Sequence, residues 1–422
     1  MHARSIRKQC SAIGLSPYRP EPYPPILWNY IGAGLTARDF PKSSADLHIL
    51  NASERLRIDY RRPKWRLQCR NLPHISNATR PAPTLLCARV GFCFLGRICH
   101  TTRMTDSYSK PFLTIHQQIA LLQTRGLTIA DPADAGNKLQ EYGYYRLSGY
   151  SHPMRVYNLA TGSHTDDFMA GSDIEHAFAL IEFDRGLRSL FMSAAERIEI
   201  AVRVQVAILL GARSPWAHRD PSQFYEKFSK RVDPRTSKIP FNDWIARLDE
   251  QEATSKEQFA SHFRQKYSEP PPIWVSIELW DFGMLSKLVG GLTVFDQKAL
   301  GAKFGLARRE LLPTWLRAIN HVRNISAHHS RLWNRSPVDQ PKPPRLGELA
   351  ELDHLANDNF AQTRLYGVAA PIQFMLKQIN REAANAWANQ LKTHVATFPN
   401  IATVPFSQTG FPDGWQDRAL WN

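Results

Sequence analysis

Acidic residues are almost missing from the first quarter of this 422-residue chain. Up to Arg103 it holds 17 Lys and Arg against 5 Asp and Glu, which leaves a near balance of 36 against 33 for the remainder. Cysteine is scarce and confined to the same stretch, at Cys10, Cys69, Cys87, Cys93 and Cys99. These cysteines lack the C-x2-C pairs of a usual zinc site, so a Cys/His metal module is a weak reading. No acidic cluster elsewhere suggests a bound cation, and the sequence implies neither metal nor cofactor. A membrane-length apolar run is also lacking. The longest, TLLCARVGFCFLG (84–96), is short, carries Arg89 and lies too far from the N-terminus to be a signal peptide. The expectation is a cytoplasmic protein with no membrane contact. Strand-like alternation is rare, and no internal repeat is apparent.

What is present divides near Met104. The basic, Pro-rich pieces before it, such as RPEPYPPILW and RRPKWRLQCR, show no sustained helical or strand period. Residues 1–103 are read as a poorly ordered basic segment upstream of the true start, with Met104 as the first residue. A phosphate-neutralising basic arm is the alternative. From there the sequence predicts an N-terminal helical region over 104–170 and a helical core with C-terminal helices and a tail over 171–422. The fold class is all-α.

Capping chemistry supports that reading. Thr114 and Gln117 form a T-x-x-Q box before Ile119 and Leu122, with Gly126 at the helix end. Asp131 caps a second helix with Pro132 in its first turn, and Gly143 closes it. Residues 155–171 read as a loop or short hairpin. Ser172 and Glu175 suggest a capping box opening a long helix to about Leu210, whose inner stripe ends in Ile198, Ala201, Val202, Gln205, Ile208 and Leu209. On another face, Glu182, Arg185, Ser189, Met192, Glu196, Glu199 and Arg203 recur at helical spacing. Glu199 and Arg203 are either a solvated i, i+4 pair or part of a face turned to a partner or ligand. PPPIWVSIELWDFGMLSKL (270–288) reads as a proline stop and one amphipathic helix with Trp274, Ile277, Leu285 and Leu288 apolar. Trp280 and Phe282 are assigned to the core. SPVDQPKPP (336–344) breaks the next helix, and further helices are expected at Gln362–Asn380 and Glu382–Thr397.

The stretch HVRNISAHHSRLWNR (321–335) concentrates polar groups. On a helix starting near Pro313, Leu312, Trp315, Leu316, Ile319 and Val322 take the buried side. Arg317, Asn320, Asn324, His328, Arg331 and Arg335 fall along another. Arg supplies planar, always-charged donors for phosphate oxygens, and His exchanges a proton near neutral pH. Such a surface suits cleavage of RNA by its own 2′-hydroxyl. The Arg-to-His spacing carries no weight alone, because Arg146/His152 and Arg213/His218 share it in segments that read as turns. His329 falls nearer the apolar side and is assigned to core or edge packing.

The ordered blocks KPFLTIHQQIALLQTRGL, YGYYRLSGY, FDRGLRSLFMSAAERIEIAVR, PPIWVSIELWDFGMLSKL, RNISAHHSRLWNR and GFPDGWQDRALW resemble the Abi-like family. This is the abortive-infection type of bacterial phage-defence protein, of the AbiD and AbiF groups. RNISAHH is similar to the R-N-x-x-x-H signature of the HEPN superfamily. The resemblance runs from about Lys110 to the C-terminus. It implies a HEPN-type helical bundle, a homodimer, and a metal-independent endoribonuclease with Arg323, Asn324 and His328 as its catalytic residues. Arg317, Asn320, Arg331, Arg335, Glu199 and Arg203 would bind RNA or support the pocket. It also implies RNA as substrate and a small structured RNA as a partner. The alternative is an RNA-binding or toxin-scaffold protein that does not cut.

Overall fold

The computed structural model describes residues 108–422. The readings of residues 1–103, and the choice of Met104 as the start, lie outside the described residues. The helices are α1 (Ile115–Thr124), α2 (Pro132–Tyr142), α3 (Tyr144–Ser151), α4 (Ile174–Gly211), α5 (Glu226–Ser229), α6 (Pro240–Thr254), α7 (Gln258–Lys266), α8 (Ile273–Ser276), α9 (Phe282–Gly291), α10 (Val294–Ala302), α11 (Leu311–Ala327), α12 (Asn359–Thr363), α13 (Tyr366–Ile379) and α14 (Arg381–Ala396). Strands β1 (Arg155–Asn158) and β2 (Ser163–Phe168) form an antiparallel hairpin, the only sheet among the described residues. The mostly all-α expectation therefore holds.

Helix α4 is the spine. Its 38 residues pack on α3, α8, α11, α13 and α14, because it buries apolar side chains over almost its whole length, from Ile174 to Leu210. α11 lies antiparallel to it: Asp184, early in α4, meets the backbone of Leu332 and Trp333 just past α11, whereas Ser189 and Met192 lie near Ser326 and Ala327. Trp244, Trp280, Trp315 and Trp333 are buried in the core, as is Phe282. The C-terminal tail returns to this core. Trp415 and Trp421 pack on Tyr366, and Trp421 Nε1 donates to the Tyr366 hydroxyl at 3.1 Å.

Several local signals behave as the sequence predicts. Thr114 and Gln117 close the capping box of α1, and Asp131 Oδ1 accepts from Ala133 and Asp134 N–H groups at 2.9 and 3.1 Å. Gly143 sits at φ +83°, where a glycine is needed. Others do not. The cap of α4 is Asp173, accepting from Glu175 N–H at 2.8 Å, while Ser172 is buried and its hydroxyl donates to the Met154 carbonyl. The 270–288 segment is two helices: Trp280 is extended at ψ 133°, and Asp281 caps α9 by accepting from Met284 N–H at 2.9 Å. The expected 362–380 helix is broken at Arg364, and Gly367 approaches the Ala361 and Gln362 carbonyls so closely that a Cβ would come within 2.7 and 2.5 Å of them. Trp274 and Ile208, expected on apolar inner faces, are 53 % and 59 % exposed.

Candidate functional site

The most consequential difference lies at the end of α11. The helix stops at Ala327, before SPVDQPKPP is reached. Ser330 N–H donates to the Ile325 carbonyl at 3.0 Å and His329 N–H to the Ser326 carbonyl at 3.1 Å. This pair of bonds is the Schellman ending, which places the residue after the C-cap in the left-handed region. That residue is His329, at φ 55°. Glycine is the usual occupant because a Cβ there costs about 1–2 kcal/mol. The predicted helical stripe is accordingly broken. Arg331 and Arg335 are not on α11, and Arg331 Nη1 instead donates to the Gly149 carbonyl of α3. Arg335 is exposed beyond the turn. His329, expected to pack at a core edge, is exposed beside the equally exposed His328.

A buried carboxylate holds this turn in place. Asp184 is fully buried and accepts from Tyr150 Oη at 2.5 Å, Arg188 Nη1 at 2.5 Å, Trp333 N–H at 2.7 Å and Leu332 N–H at 3.2 Å. Burial, and then the Asp184 charge, drive the Tyr150 phenol well above its ordinary range, so that hydroxyl stays a donor. Arg146 Nη2 adds a bond to the His329 carbonyl at 2.8 Å. Together α3 and α4 fix the backbone on which both histidines stand. None of Asp184, Arg188, Tyr150 or Arg146 was among the candidate residues. The available signal was an i, i+4 acid–base pair, Asp184 and Arg188, inside the otherwise apolar face of α4.

Further along the α4–α11 seam is a second polar group. Arg323 Nη1 donates to Asn324 Oδ1 at 3.3 Å, and both side chains are half-buried. Glu199 is 8 % exposed and binds Arg203 Nη2 through Oε1 at 2.6 Å, while the same Nη2 reaches the Trp280 carbonyl at 2.5 Å. Burial holds the Glu199 carboxyl above its ordinary value, and the Arg203 and Arg323 guanidinium groups offset that only in part. Structure thus brings Arg323, Asn324, Glu199 and Arg203 together, so the Glu199/Arg203 pair is not simply a solvated face. His328 ends the same helix, one turn after Asn324, with its N–H on the Asn324 carbonyl at 3.0 Å. Asn320 and Arg317 lie one and two turns before Asn324 on α11. The Asn320 amide faces Gly283 at the start of α9, and Arg317 is exposed, with Asp339 the nearest carboxylate at 3.9 Å.

Two clefts flank α3. One, of about 760 Å³, is lined by Arg146, Arg185, Arg188, Glu182, Met192 and His329. The other, of about 510 Å³, lies between α3, α1 and the hairpin. Among the described residues no group of three or more His, Cys, Asp or Glu side chains is arranged to hold a metal ion, and no helix is long and apolar enough to cross a membrane.

Comparison with known families adds one finding. Residues 137–334 match the model of the Abi-like protein family. No curated protein and no solved structure gives a match. The matched segment contains α3, α4, α9 and α11 whole, and with them the Asp184 clamp, the Glu199–Arg203–Arg323 group and both histidines of the turn. The tail that packs on Tyr366 lies outside it.

The clamp yields a prediction. Asp184→Ala removes the acceptor of four donors and leaves Arg188 buried without its partner. The loss of stability should be about 3–5 kcal/mol, as for other buried pairs broken on one side. Chemical denaturation followed by circular dichroism measures it, and a loss under about 1 kcal/mol would mean that the 328–333 turn is held by other contacts.

Proposed function

We propose that this chain is a metal-independent RNA endonuclease of the HEPN type, acting in a bacterial phage-defence system of the abortive-infection kind. The observation that carries the reading is the pairing of Arg323 with Asn324 one turn before an exposed His328, inside the Abi-like segment. In the reaction a 2′-hydroxyl attacks the adjacent phosphorus, and the imidazole of one His328 takes its proton. The O2′–P bond forms and the P–O5′ bond breaks. A protonated His328 from a second copy returns a proton to the leaving 5′-oxygen. Arg323 neutralises the charge that builds on the non-bridging oxygens, held by the Asn324 side-chain oxygen Oδ1. Glu199, pinned by Arg203, offsets the charge of the neighbouring guanidinium groups. A small structured RNA is an additional partner of the same basic surface.

One His per chain is a sparse acid–base pair, which is why the proposal includes a homodimer. An apolar stripe beside the Glu199 group supports it. Ile200, Val204 and Ile208, spaced four residues apart on α4, are 51 %, 48 % and 59 % exposed, and the half-exposed Trp274 lies against Gly211 at the end of that helix. Such a row, continuous along one helix face, is a surface suited to burial against a second copy.

The test of catalysis is cleavage of total RNA by Arg323→Ala, His328→Ala and His329→Gly variants beside the parent. The first two should lose about 10²–10⁴ in rate, the usual worth of positioned proton transfer, with melting nearly unchanged. His329→Gly should stay active and gain about 1 kcal/mol of stability, since glycine suits the left-handed position. Activity lost in His329→Gly but kept in His328→Ala would move the proton-transfer role to His329. RNA bound but uncut by the parent would favour a binding scaffold.

The test of the dimer is light scattering. The parent should run at twice the 48.1 kDa chain mass, and Val204→Glu at the mass of one chain. A parent that is monomeric yet cleaves RNA would remove the second copy from the mechanism.

A further inference from the structure

The walls of the 510 Å³ cleft beside α3 are aromatic and cationic together. Tyr145, on α3, is 91 % exposed, and Phe112, in the segment before α1, is 88 % exposed. Tyr144, half-buried, completes the aromatic wall. Among the described residues the Tyr145 ring is left uncovered, while Leu147 and Tyr150 carry the buried face of α3. Lys110, Arg125 and Arg155 line the same cleft. One carboxylate, Asp166, is shared between the two guanidinium groups, at 2.6 Å from Arg125 and 3.0 Å from Arg155. Three cations therefore face one acid, and among the described residues no acidic group pairs with Lys110.

We infer that this cleft binds single-stranded RNA, with bases stacked on Tyr145 and Phe112 and backbone phosphates on Lys110, Arg125 and Arg155. The reasoning is chemical. Exposed rings beside fixed cations match an unstacked base followed by a phosphate, whereas a duplex hides its base faces within its own stack. The excess of positive charge opposes an acid-free apolar peptide less than it favours a polyanion. The location ties the cleft to the chemistry proposed above. Arg146, the residue after Tyr145, holds the His329 carbonyl, and Arg331 binds Gly149 of the same helix. A strand stacked along α3 would therefore be separated from the turn that carries His328 by that one helix. This inference rests on that reading for its substrate, and it adds the surface that selects single strands.

The experiment uses the full chain carrying His328→Ala, so that RNA is bound and not cut, with fluorescence anisotropy of a labelled single strand of about 12 nucleotides, in the range of known single-strand sites. The same strand annealed to its complement is the comparison. Adding Tyr145→Ala should weaken single-strand binding about 5- to 150-fold, the range reported by alanine substitution of stacking aromatics. Tyr145→Phe keeps the ring and should bind within about twofold of the parent. Lys110→Ala should lower the salt dependence by about one phosphate contact, a slope change of roughly 0.7. Equal binding by parent and Tyr145→Ala, duplex bound as tightly as single strand, or no RNA binding at all would each overturn the inference. Cleavage by the unmodified chain is scored separately. RNA cut with no dependence on Tyr145 overturns the stacking surface alone, and Tyr145-dependent binding without cutting overturns the nuclease reading alone.

Discussion

The turn that carries both histidines of the candidate site depends on one buried carboxylate. Taking an ionised group such as that of Asp184 out of water costs several kcal/mol, and the cost is offset only if its lone pairs are filled. Here Arg188, Tyr150 and the Leu332 and Trp333 N–H groups fill them. Two of those donors are backbone, so the carboxylate sets the path of the chain after α11 and not merely the position of a side chain. With 332 and 333 fixed at one end and the last turn of α11 at the other, the residues between have little freedom. His329 is left in a left-handed conformation that glycine would adopt at lower cost. The clamp also ties in α3 through Tyr150, and so fixes where the exposed Tyr145 stands relative to the two histidines.

α4 carries most of these features along one rod. Asp184 and Arg188 serve the clamp near its start, Glu199 and Arg203 the Arg323 group near its end, and Ile200, Val204 and Ile208 an open face beside that group. Because one helix spans them, its packing in the core sets their spacing. The 2.6 Å Glu199–Arg203 contact then has a positional meaning. Arg203 is also bonded to the Trp280 carbonyl, at the break between α8 and α9, so Glu199 is held on the side from which Arg323 approaches.

Much of this was legible in the sequence where a single residue type decides the local structure. Thr114, Asp131 and Gly143 mark helix boundaries by capping chemistry and by the need for positive φ, and the turn-rich composition of 155–171 left a loop or a short hairpin, of which the hairpin is present. Trp280 and Phe282 are core residues, as their apolar setting suggested. The end of α11 was not legible, because the residue in the glycine position is His329, and the helical count therefore ran on through Arg331 and Arg335. Asp184 was missed for a related reason. It lies on the buried face, where an isolated acid reads as an exception to the pattern and its backbone partners, about 150 positions away, have no signature in local sequence. Trp274 and Ile208 looked like core because periodicity reports which side of a helix is apolar. It does not report whether that side is covered by the same chain.

The central claim is chemical: Arg323 and His328 cut RNA by activating its own 2′-hydroxyl. The measurement that tests it most directly is cleavage, in EDTA, of a defined RNA beside an identical strand carrying one 2′-deoxy nucleotide at the cut site. The all-ribose strand should be cut to a 2′,3′-cyclic phosphate and a 5′-hydroxyl, and the deoxy strand should be bound but left intact. Efficient cutting of the deoxy strand, or activity lost in EDTA and restored by Mg²⁺, would contradict it.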